Sequence, residues 1–111
     1  MERNYIIETN VFQYPFVGAG HYEHYEVAHS DTLEHATELV NAMFASNVQL
    51  LHATKQNARS VMASDRTGST DDYYQICQSF LCDDGIVIIG VRAIHRPEQK
   101  VIVEQEVTDH A

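Results

Sequence analysis

The stretch DDYYQICQSFLCDDG, residues 71–85, admits two readings, and each builds a different domain. Read with a period near 3.6, Tyr73, Ile76, Cys77, Phe80 and Leu81 fall at i, i+3, i+4, i+7 and i+8, a complete apolar helical stripe. Ser69 or Thr70 can cap such a helix, Asp71 and Asp72 suit its first turn, and Gly85 suits its exit. Read with a period of two, the same residues place Gln78 on the apolar face. The periodicity therefore predicts a helix over 73–81.

Working towards the N-terminus, the segment before it is less sharply patterned. Residues 46–64, SNVQLLHATKQNARSVMAS, contain no Gly or Pro, and Val48, Leu51, Ala58 and Met62 roughly share a helical face. They predict a second helix, with a strand at 48–54 as the competitor; 65–72 reads as a loop. The first helix is the clearest. Leu33, Ala36, Leu39, Val40, Met43 and Phe44 recur at helical spacing. Ser30 or Asp31 can cap it, and Glu34 follows Asp31 at capping-box distance.

Before that helix come two strand candidates. YIIETNVFQY (5–14) is rich in β-branched and aromatic residues. HYEHYEVA (21–28) alternates, with Tyr25 and Val27 on one face and Tyr22, His24 and Glu26 on the other. At the C-terminal end, IVIIGVRAIH (86–95) begins apolar on both faces, as a central strand does. RPEQ is a turn, and KVIVEQEV (100–107) alternates as a half-exposed strand. The expected fold is α+β: one small domain over 1–111, with an antiparallel sheet of about four strands, two N-terminal and two C-terminal. Two to three helices pack on one face, in the order β-β-α-α-α-β-β.

Bulk properties bound the function. The chain has 111 residues, 44% hydrophobic, with sixteen acids against seven Lys and Arg for a net charge of -9. That charge repels nucleic-acid phosphates and anionic lipid headgroups, so direct nucleic-acid binding and membrane association are disfavoured, and a basic protein partner is electrostatically allowed. A second copy of the chain is another allowed partner. No secretory signal or membrane-length apolar run is visible, and the two cysteines suit a reduced, cytoplasmic setting.

The chain's motifs carry little chemistry. His21 and His24 have short-ligand spacing, with Glu23, Glu26, His29 and His35 close in sequence. On a strand, however, His21 and His24 face opposite ways, whereas zinc needs ligands converging on one point. Neither HExxH nor CxxC occurs, so no metal or other cofactor is expected. HYE matches half of a zinc-deaminase signature, but the P-C-x-x-C half is missing. Cys77 sits on the apolar stripe of 73–81, where a cysteine is usually a small buried hydrophobe. Cys82 adjoins Asp83 and Asp84, which raise a thiol's pKa, the wrong direction for a nucleophile. VGAG (17–20) lacks the rest of a phosphate-binding loop. No catalytic residue is assigned.

One charge feature remains. Between Arg3 and Lys55 there is no Lys or Arg, yet Glu8, Glu23, Glu26, Asp31, Glu34 and Glu38 all lie in that window. Asp31, Glu34, His35 and Glu38 are expected to project together from the first helix, opposite its apolar stripe. The plain reading is a solvated outer face. The functional reading is a non-catalytic protein-binding module: an accessory protein or inhibitor of a basic or nucleic-acid-handling partner. Its contact residues would be Glu23, Glu26, Asp31, Glu34, His35 and Glu38. A small-molecule or metal-binding domain built on segment 21–35 is the alternative, and a small enzyme with an unrecognised site is the second.

Overall fold

A computed structural model describes residues 4–69 and 72–96, with backbone alone at 62–69 and 96. The elements are β1 (Asn4–Pro15), β2 (His21–Ser30), α1 (Leu33–Thr54), β3 (Arg59–Ser69), β4 (Tyr73–Cys82) and β5 (Gly85–Arg96). The five strands form one antiparallel sheet in the order β2-β1-β5-β4-β3, and α1 packs against one face of it. The α+β class and the helix on one face are as expected. Among the described residues there is one helix where two to three are expected, and the sheet has five strands where about four are expected.

The largest correction is the stretch from 73 to 82, which is strand β4 and not a third helix. Tyr74, Ile76 and Phe80 pack beneath α1, and buried Cys82 continues the series at every second position. Gln78, the residue that counted against a strand, donates from Nε2 to Ser60 Oγ at 2.6 Å. A polar side chain on the helix side is tolerated there because β3 satisfies it. The neighbouring strand supplies the larger reason. β5 is central, and its backbone polar groups need a partner on each edge. β1 fills one side and β4 the other.

The second helix is also replaced. Residues 46–54 continue α1 without a break, making it 22 residues long, and residues from 59 onward are β3. The competing strand at 48–54 is equally excluded. The stop comes after Thr54. Lys55 caps the end in an extended conformation, its N–H bonding the Leu51 carbonyl, and Asn57 takes a left-handed φ of 57°. Asn tolerates that conformation better than most side chains. Residues 65–69, expected as loop, belong to β3. The strand expected at 100–107 lies outside the described residues.

Asp83 and Asp84 form a two-residue hairpin loop between β4 and β5, where a helix exit was expected. The loop is tied to the end of α1: Lys55 Nζ donates to Asp84 at 3.1 Å, and Asn57 Nδ2 donates to both Asp83 carboxylate oxygens at 3.0 and 3.2 Å. Gly85 follows with φ 157°, and a Cβ there would run into the Tyr14 carbonyl oxygen and come within 2.6 Å of Pro15 Cα. Only glycine lets β1 and β5 close at this end.

At the other end of α1 the cap is Thr32, not Ser30 or Asp31. Its side chain accepts from the His35 N–H at 3.1 Å. Buried Ser30 supports the turn by accepting from the Thr32 N–H and donating to the Thr32 carbonyl. The core has two parts. The N-terminal half of α1 sets Ala36 and Val40 on Tyr5, Ile7, Val91 and Ala93, and the C-terminal half sets Leu51 on Phe80, Val87 and Ile89. Phe44 touches both. Between β1 and β2 the register shifts at Ile7/Glu8, leaving Val27 as the extra residue of a bulge. Tyr25 therefore shares the helix side with Ala28, while Val27 does not continue the alternation. Among the described residues, no helix is long and apolar enough to cross a membrane.

Candidate functional site

β2 is an edge strand, so its backbone has a partner on β1 only. Charged side chains and a bulge are common devices for keeping such an edge from pairing promiscuously. Glu23, opposite Val11, points to the helix side, and Glu26, opposite Glu8, to the uncovered side. These two acids do not share a surface. Each stands beside a histidine: His21 Nε2 lies 3.1 Å from Glu23 and His29 Nε2 lies 4.0 Å from Glu26. His21 and His24 fall on opposite faces, opposite Gln13 and Asn10 respectively, as a strand requires. Among the described residues, no three His, Cys, Asp or Glu side chains are grouped to hold a metal ion.

Asp31 is exposed in the β2–α1 connection, and Glu34 and Glu38 are exposed one turn apart on α1. Buried Ala36 and Val40 mark the opposite side of that helix. His35 was expected to project with these acids. It is exposed, but its Nδ1 lies 3.1 Å from Ser30 Oγ, which ties the ring back to the helix cap. The fold thus gathers Asp31, Glu34 and Glu38 at the start of α1. Lys55 and Arg92 form their ion pairs elsewhere, with Asp84 and Glu8.

Glu8 anchors a second constellation that motif reading passed over. It lies on the sheet face away from α1, yet it is only 3% exposed. Arg92 of β5 donates from Nε to Glu8 Oε1 at 2.8 Å, and His24 Nε2 of β2 stands 3.6 Å from Oε2. Asn10 Oδ1 accepts from the Tyr22 hydroxyl at 2.9 Å and lies 2.6 Å from His24 Nδ1. Tyr22 stacks on Phe12 with ring centroids 4.4 Å apart. The polar groups point at one another and join β2, β1 and β5 across the uncovered face. The sequence carried one cue: Arg92 is the lone base inside an apolar run, and a strand register could have paired it with the lone acid in 5–14.

Cys77 is half-exposed on that same uncovered face, opposite Gly90, and is not the buried helix residue expected. Cys82 is the buried one. Burial first, then the Asp84 and Asp83 carboxylates, push its thiol above the ordinary value, with Lys55 opposing them. Adjacent acids had been expected to act in that direction; burial outranks them. A thiol held protonated is a poor nucleophile. No family model matches the chain, and neither a curated protein nor a solved structure is found similar to it.

Proposed function

We propose that this chain is a non-catalytic module that binds a basic protein, as an accessory factor or inhibitor of a basic or nucleic-acid-handling partner, in a cytoplasmic setting. The contact surface is the acidic start of α1: Asp31, Glu34 and Glu38. One observation carries the reading: these three acids are exposed at the start of α1, on the side away from buried Ala36 and Val40. Their negative field is directed outward, where a cationic partner can meet it. With a net charge of -9 behind it, such a surface steers cationic proteins to itself and away from phosphate-bearing polymers.

The test is differential affinity capture with wild type and Glu34→Lys/Glu38→Lys as baits. The expected result is a basic protein held by wild type at low salt, released at high salt, and not held by the reversed-charge bait. Equal retention by both baits contradicts the reading and leaves the face as a solvated surface.

A further inference from the structure

The sheet has two unlike faces, and α1 covers one of them. On the other, strand alternation brings Phe12 and Tyr14 of β1 beside Tyr22 of β2. Tyr14 is 49% and Tyr22 52% exposed. Phe12 stacks on both, with ring centroids 6.2 Å and 4.4 Å away. These rings form an aromatic ridge on the β1–β2 half of the uncovered face. The β5–β4 half is built differently. Gly90, Cys77 and Ser79 are small, and beside the ridge they leave a hollow of about 550 Å³. An exposed apolar patch of this kind, rimmed by polar groups, marks a contact surface.

Charge divides the molecule in the same way. The chain carries a net -9, yet the Asp, Glu, Lys and Arg side chains described on the strands of this face are Glu8 and Glu26 against Arg59 and Arg92. They balance, so the excess of acid lies elsewhere. Glu8 and Arg92, nearer the middle, already bond to each other at 2.8 Å, and covering them leaves neither charge alone. Glu26 and Arg59 belong to the outer strands β2 and β3, where a rim stays wet.

We propose that this face docks a second copy of the chain, sheet on sheet, about a two-fold axis lying along β5. Rotation about that axis lays β1 over the β4 of the second copy, and β2 over its β3. Phe12, Ile88 and Ser79 share one row of the sheet. Phe12 therefore comes to lie over the partner's Ser79, and the aromatic ridge enters the facing hollow. Symmetry makes the contact twice, and inner faces of stacked sheets interdigitate in this manner. Two features select a second copy over another occupant. One face carries both the ridge and the hollow that receives it, so it is complementary to itself. It is also balanced in charge, in a chain whose remaining surface repels its own copy. The area suffices. Five strands about 4.8 Å apart, each with about ten residues rising about 3.3 Å, make a face of roughly 24 by 33 Å, or about 800 Å². A stable interface buries about 800 Å² on each partner. The acidic start of α1 lies on the far side of the sheet and stays open, so the dimer and the acidic docking surface stand or fall separately.

The test is sedimentation equilibrium of the full chain across a concentration series. A monomer–dimer equilibrium is expected, with Kd at about 1 µM or below, where interfaces of this area lie. Tyr22→Asp on the ridge and Cys77→Lys in the hollow, both at solvent-facing positions of the monomer, should each weaken the dimer at least tenfold. An equimolar mixture of the two variants should dimerise more tightly than either alone. The mixed dimer keeps one ridge–hollow contact unaltered and sets opposite charges against each other in the second. Iodoacetamide should label wild-type Cys77 quickly in dilute protein and at least tenfold more slowly where the dimer prevails. Added salt should strengthen the dimer by screening the repulsion between two chains of net charge -9, the reverse of its effect on a basic partner. Monomer mass at about 100 µM overturns the proposal. So does a dimer whose Kd is unchanged in folded Tyr22→Asp and Cys77→Lys, because it then uses another surface.

Discussion

Glu8 and Arg92 show how much of a sheet's uncovered face can be set by a single pair. A carboxylate almost sealed from water needs its cation, and Arg92 supplies a 2.8 Å hydrogen bond from the adjacent central strand. Removing Arg92 should be worse than removing both, because the buried carboxylate then loses its Arg92 hydrogen bond while keeping its charge. Arg92→Ala is expected to lower unfolding free energy by roughly 1–3 kcal/mol, less than a fully buried pair because Arg92 is partly exposed. Glu8→Leu/Arg92→Leu should recover part of that loss in urea denaturation. A double variant as unstable as the sum of Glu8→Leu and Arg92→Leu, each measured singly, would remove the coupling claimed for the pair. The cysteines give a second residue-scale expectation. Iodoacetamide should label half-exposed Cys77 in native protein well before Cys82, and mass spectrometry of the two peptides reads the order. The sign of the pH effect follows from the raised Cys82 thiol. The unfolded chain ionises first as pH rises, so the stability Cys82 supports is intact below the ordinary thiol value and declines above it. Cys82→Ala should flatten the alkaline part of a stability profile; an unchanged profile would mean that other groups cause the decline.

At the scale of elements, the boundaries that sequence made legible are those with one dominant signal. β1, β2 and the first turns of α1 carried alternation or a helical stripe that no competing period matched. In 73–82 both periods fitted, and Gln78 together with apparent cap and exit residues (Ser69 or Thr70, Asp71, Asp72 and Gly85) tipped the choice towards a helix. Composition held a cue that periodicity hid: Tyr, Ile, Cys and Phe favour strands, and the segment has no Ala, Glu, Lys or Arg. The end of α1 was hidden differently. No Gly or Pro marks it; Asn57 does, through a left-handed backbone and a side chain locked to Asp83. Asn57→Ala should therefore cost about 1–2 kcal/mol, from backbone strain and the lost Asp83 contact, and Asn57→Gly less. Equal Tm values for wild type and Asn57→Ala would show that this turn is not what ends the helix. The candidate site was legible in the same uneven way. Glu34 and Glu38 needed only helical spacing to be placed outside. Glu23 and Glu26 were separated by strand alternation, and no spacing could have shown His35 turned back to Ser30.

For the whole molecule, the sheet order puts its two most buried strands, β1 and β5, next to each other and leaves β2 as an acidic, histidine-rich edge leading straight into the acidic turn of α1. Charge and core are thereby segregated. The stripe at Asp31, Glu34 and Glu38 can be altered without touching Ala36 or Val40, so Glu34→Gln/Glu38→Gln should change unfolding free energy by less than about 1 kcal/mol. That separation makes the functional claim testable without confusion from folding. The decisive measurement is the association rate of a purified basic partner with wild type and Glu34→Gln/Glu38→Gln across a series of ionic strengths. Electrostatic steering predicts that the variant associates more slowly at low salt, has a shallower salt dependence, and converges with wild type as salt rises. Identical rates at low salt would contradict a docking role for the acidic face.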